Sequence, residues 1–279
     1  MNATRPLETR VKGIAYHLKG IGVMLVTLFA IIQLVGLFAI NKLMFHPEMV
    51  RGGYDATLPG YVDIGTNGVR VAALVRGPEK GRKAILYCHG NAEDMTSSID
   101  VLDVFAAKGC TVAAVDYPGY GLSDGSPTEE GCYRNVHRLY DWLREVRGFK
   151  DEDIVVVGYS IGTGPATELA ATRKVGGLVL EAPYLSAPRA VTRIRLMAID
   201  PFPNVSRIRS INCPLLVIHG TDDRVVPFSQ GSALFRHAVE PKRFVDVPGA
   251  GHVDFIDVMG TDVYEKLIEA FLSGAQSPK

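Results

Sequence analysis

Six short apolar runs recur from residue 84 onward: AILYC (84–88), TVAAV (111–115), IVVVG (154–158), GLVLE (177–181), LLVIH (215–219) and RFVDV (243–247). Each is too short for a helix, and most are nearly continuous in apolar character, as strands covered on both faces require. Helical patterns fill the gaps, at about 95–108, 127–147, 161–174, 228–238 and 260–274. Strand and helix in this alternation predict an α/β fold, a mostly parallel central sheet wound on both faces through right-handed crossovers. Two β-like runs near 61–66 and 69–76 precede them, joined by Asn67-Gly68, a pair suited to a tight hairpin. The helix over 127–147 reads as starting at Ser126, with Pro127 in its first turn and Glu129 three residues past the cap. Trp142 reads as a core residue of that helix. Only 182–214 breaks the rhythm, with room for a small cap over 183–213 but not for a lid domain.

The N-terminus is a different kind of segment. Residues 21–40 form a run of 20 residues with no charge and one amide, Gln33. At about 1.5 Å per residue, a helix of that length spans the roughly 30 Å hydrocarbon layer of a bilayer. The run exceeds the apolar region of a cleaved signal peptide and lacks its small-residue ending, so it reads as an uncleaved anchor. Residues 1–45 then form the flank and anchor, and 46–279 the α/β domain, reached through a Gly- and Pro-containing connection over 46–60. Arg5, Arg10, Lys12 and Lys19 precede the run, against Lys42 and Arg51 after it. That excess predicts a single-pass membrane protein with its domain on the non-cytoplasmic side.

Thirty basic and thirty acidic residues cancel, so no global field favours nucleic acid. The four cysteines, Cys88, Cys110, Cys132 and Cys213, show no paired metal-ligand spacing, which predicts buried thiols and no metal site.

The chemistry concentrates at Gly158-Tyr159-Ser160-Ile161-Gly162, where a strand ends and a helix begins. A G-x-S-x-G there makes a sharp turn that exposes the serine hydroxyl at a helix N-terminus. A serine attacks only when a base takes its proton, and the base needs an orienting acid. Of the seven histidines, His17 and His46 flank the anchor, while His137 and His237 sit in helical patterns. His89 precedes the nucleophile, and His219 ends a strand and supports the loop after it. His252, in a Gly-rich loop after the last strand, is the candidate base, in the order serine, acid, histidine. Asp222 and Asp223, following LLVIH, can each reach it. An oxyanion hole needs two backbone N–H groups, supplied by Ile161 after the nucleophile and Asn91 in the turn after AILYC. No residue pattern calls for a cofactor.

Together, His-Gly-Asn-Ala at 89–92, Asp-Tyr-Pro-Gly-Tyr-Gly at 116–121, Gly-Tyr-Ser-Ile-Gly, Glu-Ala-Pro-Tyr at 181–184, His-Gly-Thr-Asp-Asp at 219–223 and Gly251-His252 resemble the α/β-hydrolase family. The resemblance spans about 60–275 and points to its short-capped, often membrane-anchored serine hydrolases. It implies esterase, lipase or thioesterase activity on lipid or acyl-protein substrates, and its H-G-x-x-D-x-x-V-P pattern places the acid at Asp223 rather than Asp222. A serine peptidase of the same fold is the second reading, and a non-catalytic scaffold the third. Arg189, Arg193, Arg195, Arg207 and Arg209, beside Leu196, Met197, Ile199 and Phe202, predict either a basic-apolar cap at a membrane surface or an ordinary charged one.

Overall fold

A computed structural model describes residues 7–50, 53–192 and 200–274 of the chain. Eight strands form one sheet in the order β1-β2-β4-β3-β5-β6-β7-β8. They are β1 (Tyr61–Asp63), β2 (Ala72–Arg76), β3 (Ala84–Cys88), β4 (Thr111–Val115), β5 (Ile154–Tyr159), β6 (Gly177–Glu181), β7 (Leu215–Gly220) and β8 (Lys242–Val247). From β4 to β8 every neighbour is parallel, whereas β1 and β2 run antiparallel at one side. The hairpin turns at Asn67 and Gly68, both in the left-handed region (φ 56° and 76°), as a tight two-residue turn demands.

The apolar runs became strands because both faces of the sheet are covered. β3, β4, β5 and β6 are buried at every position. Alternate residues feed two cores: Leu86, Val156 and Leu180 point to one, Ile85, Val155 and Val179 to the other. The helices are α2 (Ile99–Ala107), α3 (Glu129–Glu145), α4 (Thr163–Thr172), α5 (Ala187–Thr192), α6 (Asn204–Arg207), α7 (Phe228–His237), α8 (Phe255–Met259) and α9 (Thr261–Leu272), after an N-terminal α1 (Leu7–Met44). Buried residues of α3, α4 and α7 line the first core, and those of α2, α8 and α9 the second.

Two local expectations change. α3 starts two residues later than its Ser126-Pro127 signal suggests, because Thr128 is the cap: its backbone is extended and its hydroxyl accepts the Gly131 N–H at 3.0 Å. Trp142 lies at the rim of the core rather than inside it, half-buried under the Arg147 guanidinium at 4.8 Å.

The chain divides into two compact units, the first taking the N-terminal residues through Ile40 and the second resuming at Asn41. Within the first, α1 carries an exposed apolar window from Tyr16 to Leu34, mean hydropathy 1.8, long and apolar enough to cross a membrane. The predicted 21–40 run is thus the interior of a longer helix, which stops just before His46-Pro47, where the proline disfavours helical backbone in its predecessor. Arg5, Arg51, Arg193, Arg195, Leu196, Met197 and Ile199 lie outside the described residues.

In the cap, short α5 and α6 are tied down by Ala187 N–H to the Pro201 carbonyl at 3.1 Å and Val205 N–H to Leu185 at 2.9 Å. Its described arginines each have a partner, although Arg209 is exposed. Arg189 pairs with Asp200 at 2.6 Å, Arg207 with Glu129 at 3.7 Å, and Arg209 meets the His237 ring at 2.9 Å. Phe202 is fully buried, edge-on to Phe45 and Tyr133.

Candidate active site

Ser160 follows the last residue of β5 and opens a single 3₁₀ turn, Ser160–Gly162, that leads directly into α4. Its backbone is left-handed, at φ 50°, a conformation that costs a non-glycine residue roughly 1–3 kcal/mol and persists only where its surroundings enforce it. The enforcement is steric closeness. A Cβ at Gly162 would stand 2.1 Å from the Cys88 carbonyl oxygen, and one at Gly158 2.6 Å from the Gly162 carbonyl, so only glycine lets the elbow fold this tightly.

The side chains singled out in the sequence stand in one hydrogen-bonded line at the carboxyl ends of the strands. Ser160 Oγ lies 2.9 Å from His252 Nε2, and His252 Nδ1 lies 2.7 Å from Asp223 Oδ2. The short contact to a carboxylate puts the imidazole proton on Nδ1 and leaves the Nε2 lone pair facing the hydroxyl. Asp223 comes from the β7–α7 loop and His252 from the β8–α8 loop. Those loops are bonded to each other, Thr221 N–H to the Val247 carbonyl at 3.0 Å and Asp222 N–H to Ala250 at 2.9 Å. Asp222 itself points to solvent.

Asp223 is buried, which alone would raise its pKa. Hydrogen bonds from His219 and His252, the charge of His252 and the Val226 N–H outweigh burial and hold the carboxyl well below the usual carboxylate range. Its Oδ1 accepts the N–H groups of Val225 and Val226, at 2.9 and 2.8 Å, which leaves Oδ2 for the imidazoles.

Ile161 and Asn91 stand where the sequence placed them, after the nucleophile and in the turn after β3. The β3 turn is held from below: Gly90 N–H donates to Glu93 Oε2 at 2.8 Å, and Tyr117 donates its hydroxyl to the His89 carbonyl at 2.8 Å. The buried His89 ring lies 3.3 Å from Asp116; burial disfavours its charged form, but the Asp116 carboxylate and the Gly90 carbonyl leave its pKa raised. Among the described residues no group of three or more His, Cys, Asp or Glu side chains could hold a metal ion, and all four cysteines are free thiols.

The profile of the alpha/beta hydrolase fold matches residues 83–205. Human alpha/beta hydrolase domain-containing protein 17B is 34% identical over 212 residues, covering 75% of this chain and 73% of that protein. The chain belongs to the alpha/beta hydrolase family. Solved members share its fold at low sequence identity. An esterase of Thermogutta terrifontis is 22% identical with a TM-score of 0.63, over 79% of this chain and 97% of its own. A lidless serine hydrolase of Xanthomonas campestris is 17% identical with a TM-score of 0.60, over 78% and 96%.

In this family member two further residues support the line of three. His219 Nε2 lies 2.9 Å from the Val226 carbonyl and 3.3 Å from Asp223 Oδ2. Both are acceptors, so Nε2 carries the proton and the acid is flanked by two imidazoles. The sequence marked His219 only as loop support. Tyr159 donates its hydroxyl to the His252 carbonyl at 3.1 Å, and its ring lies 5.4 Å from the His252 ring. No local signal announces that contact, since the residues are 93 apart in sequence.

Proposed function

We propose that this chain is a membrane-anchored serine hydrolase that cleaves carboxylic ester or thioester bonds of acyl substrates through an acyl-enzyme. The observation that carries the reading is the unbroken Ser160–His252–Asp223 line, with the serine held in a strained elbow at a helix entrance. Ser160 Oγ attacks the carbonyl carbon as its proton passes to His252 Nε2, and Asp223 stabilises the resulting imidazolium. The amides of Ile161 and Asn91 receive the oxyanion. Collapse expels the alcohol or thiol, which takes the proton from Nε2. A water activated by the same nitrogen then attacks the acyl-enzyme, releases the acid and returns the proton to Ser160.

Two features favour acyl substrates. Val225, two residues past the acid, and Val253, directly after the base, are 61% and 80% exposed and offer apolar surface on the loops that carry those groups. The apolar window of α1 serves as the anchor, and the basic excess before it puts the domain on the non-cytoplasmic side. Labelling with a fluorophosphonate probe tests the reading: wild type labels and Ser160→Ala does not, and persistent labelling of the variant overturns it. A panel of ester, thioester and amide substrates of increasing chain length then separates acyl hydrolase from peptidase.

A further inference from the structure

Directly after α1 the chain makes a contact that the reaction scheme above does not use. His46 N–H donates to two oxygens, Tyr120 Oη at 3.1 Å and Asn91 Oδ1 at 3.3 Å, and Tyr120 donates its own hydroxyl to Asn91 Oδ1 at 2.7 Å. The three groups close a triangle. Its polarity is fixed, because a main-chain N–H can only donate, so the Asn91 side chain must present its oxygen. Each corner is immobilised by a different part of the fold. Phe45, 3% exposed, packs edge-on against the buried Phe202 at 6.0 Å and pins the backbone at His46. Tyr120, fully buried, belongs to the turn after β4. Asn91 sits in the turn after β3, between Gly90, whose N–H is held by Glu93, and Glu93 itself.

We infer that this triangle aims the Asn91 amide at the oxyanion, so that the segment following α1 and the Tyr120 hydroxyl are positioning elements of the active site. The inference rests on the serine hydrolase reading, in which that amide is a transition-state donor. The physical case is direct. An oxyanion donor contributes only if it is preorganised to a few tenths of an ångström, and a turn residue with a free side chain is not. Two hydrogen bonds to Oδ1, with the neighbouring Gly90 N–H fixed by Glu93, leave the peptide between residues 90 and 91 little freedom to rotate. The substrate never touches Tyr120 or His46 in this scheme; they act through Asn91.

The test uses the full-length chain in detergent micelles, with hydrolysis of p-nitrophenyl butyrate normalised to active sites titrated by the fluorophosphonate. Asn91→Ala keeps the amide and removes the acceptor, and Tyr120→Phe keeps the buried ring and removes one donor. Losing a whole oxyanion donor costs about 10²–10³-fold, so a mis-aimed one is expected to lower kcat about tenfold in each variant, with KM within about twofold. Because both changes open the same triangle, the double variant is expected to be no slower than the slower single one. Ser160→Ala is included. If it is inactive while Asn91→Ala and Tyr120→Phe retain wild-type kcat per titrated site, or lose only KM or melting temperature, the inference falls and the serine reading stands. If Ser160→Ala still turns over the ester, the serine reading falls and the inference falls with it.

Discussion

On the proposed mechanism, Asp223 orients His252 without being consumed. Its two oxygens divide the work, Oδ1 to two main-chain donors and Oδ2 to His252 and His219. Asp223→Asn keeps the shape but favours the wrong imidazole tautomer, and kcat is expected to fall by about 10³–10⁴-fold. Asp222→Asn, at a solvent-facing side chain, is expected to stay near wild type; equal losses in both would overturn the assignment of the acid. The same environment carries a stability consequence. Because the folded-state pKa of Asp223 is depressed, its contribution is present at neutral pH and is lost as pH falls through and below the usual carboxylate range. Acid titration of the melting temperature should therefore be steeper for wild type than for Asp223→Asn.

Among the elements, β6 and α9 are joined by a group that titrates the other way. Glu181 ends β6 fully buried and accepts the Tyr264 hydroxyl at 2.6 Å. Burial pushes its carboxyl up from 4.5 to about 7, with the Glu93 charge adding and the Tyr264 bond opposing. The native chain then binds this proton more firmly than the unfolded one, so stability falls as pH rises from about 4.5 to about 7 and levels off above. The shift corresponds to on the order of 3 kcal/mol. Glu181→Gln retains an acceptor for Tyr264 and is expected to melt above wild type at pH 8 and close to it near pH 4.5; no difference at pH 8 would refute the raised value. Strands β3 to β7 were legible in the sequence to within a residue, because strands buried on both faces must be continuous in apolar character, as β3, β4 and β6 are, whereas α2 starts four residues after the expected 95 and the short α5, α6 and α8 were not foreseen. The cap of α3 was not, since Ser126-Pro127 and Thr128 offer overlapping start signals that only the tertiary backbone separates. Ser160 and His252 stood out through motif and chain order, and His219 shares its motif with Asp223, whereas the parts of Tyr159 and Tyr120 rest on contacts with groups outside their own motifs, up to 93 residues away.

At the scale of the whole molecule, the break between the two units falls ahead of Phe45, which belongs to the larger unit's core although it directly follows the apolar helix. Phe45→Ala is expected to cost about 3–5 kcal/mol, read as a fall in melting temperature, since it empties a site against Phe202. A chain begun at Asn41 should keep the wild-type melting temperature of the globular unit, and one begun at Gly53 should not; equal stability of the two would show Phe45 to be dispensable. The open sides of the sheet carry a different consequence. One side ends in β1, only three residues long, and the other in β8, where Lys242, Arg243 and Asp246 interrupt the apolar residues. Short and charged rims make poor templates for a second chain. On the proposed anchoring, copies of the chain would meet in two dimensions, repeatedly and in similar orientation, and rims unable to zip together would keep them separate.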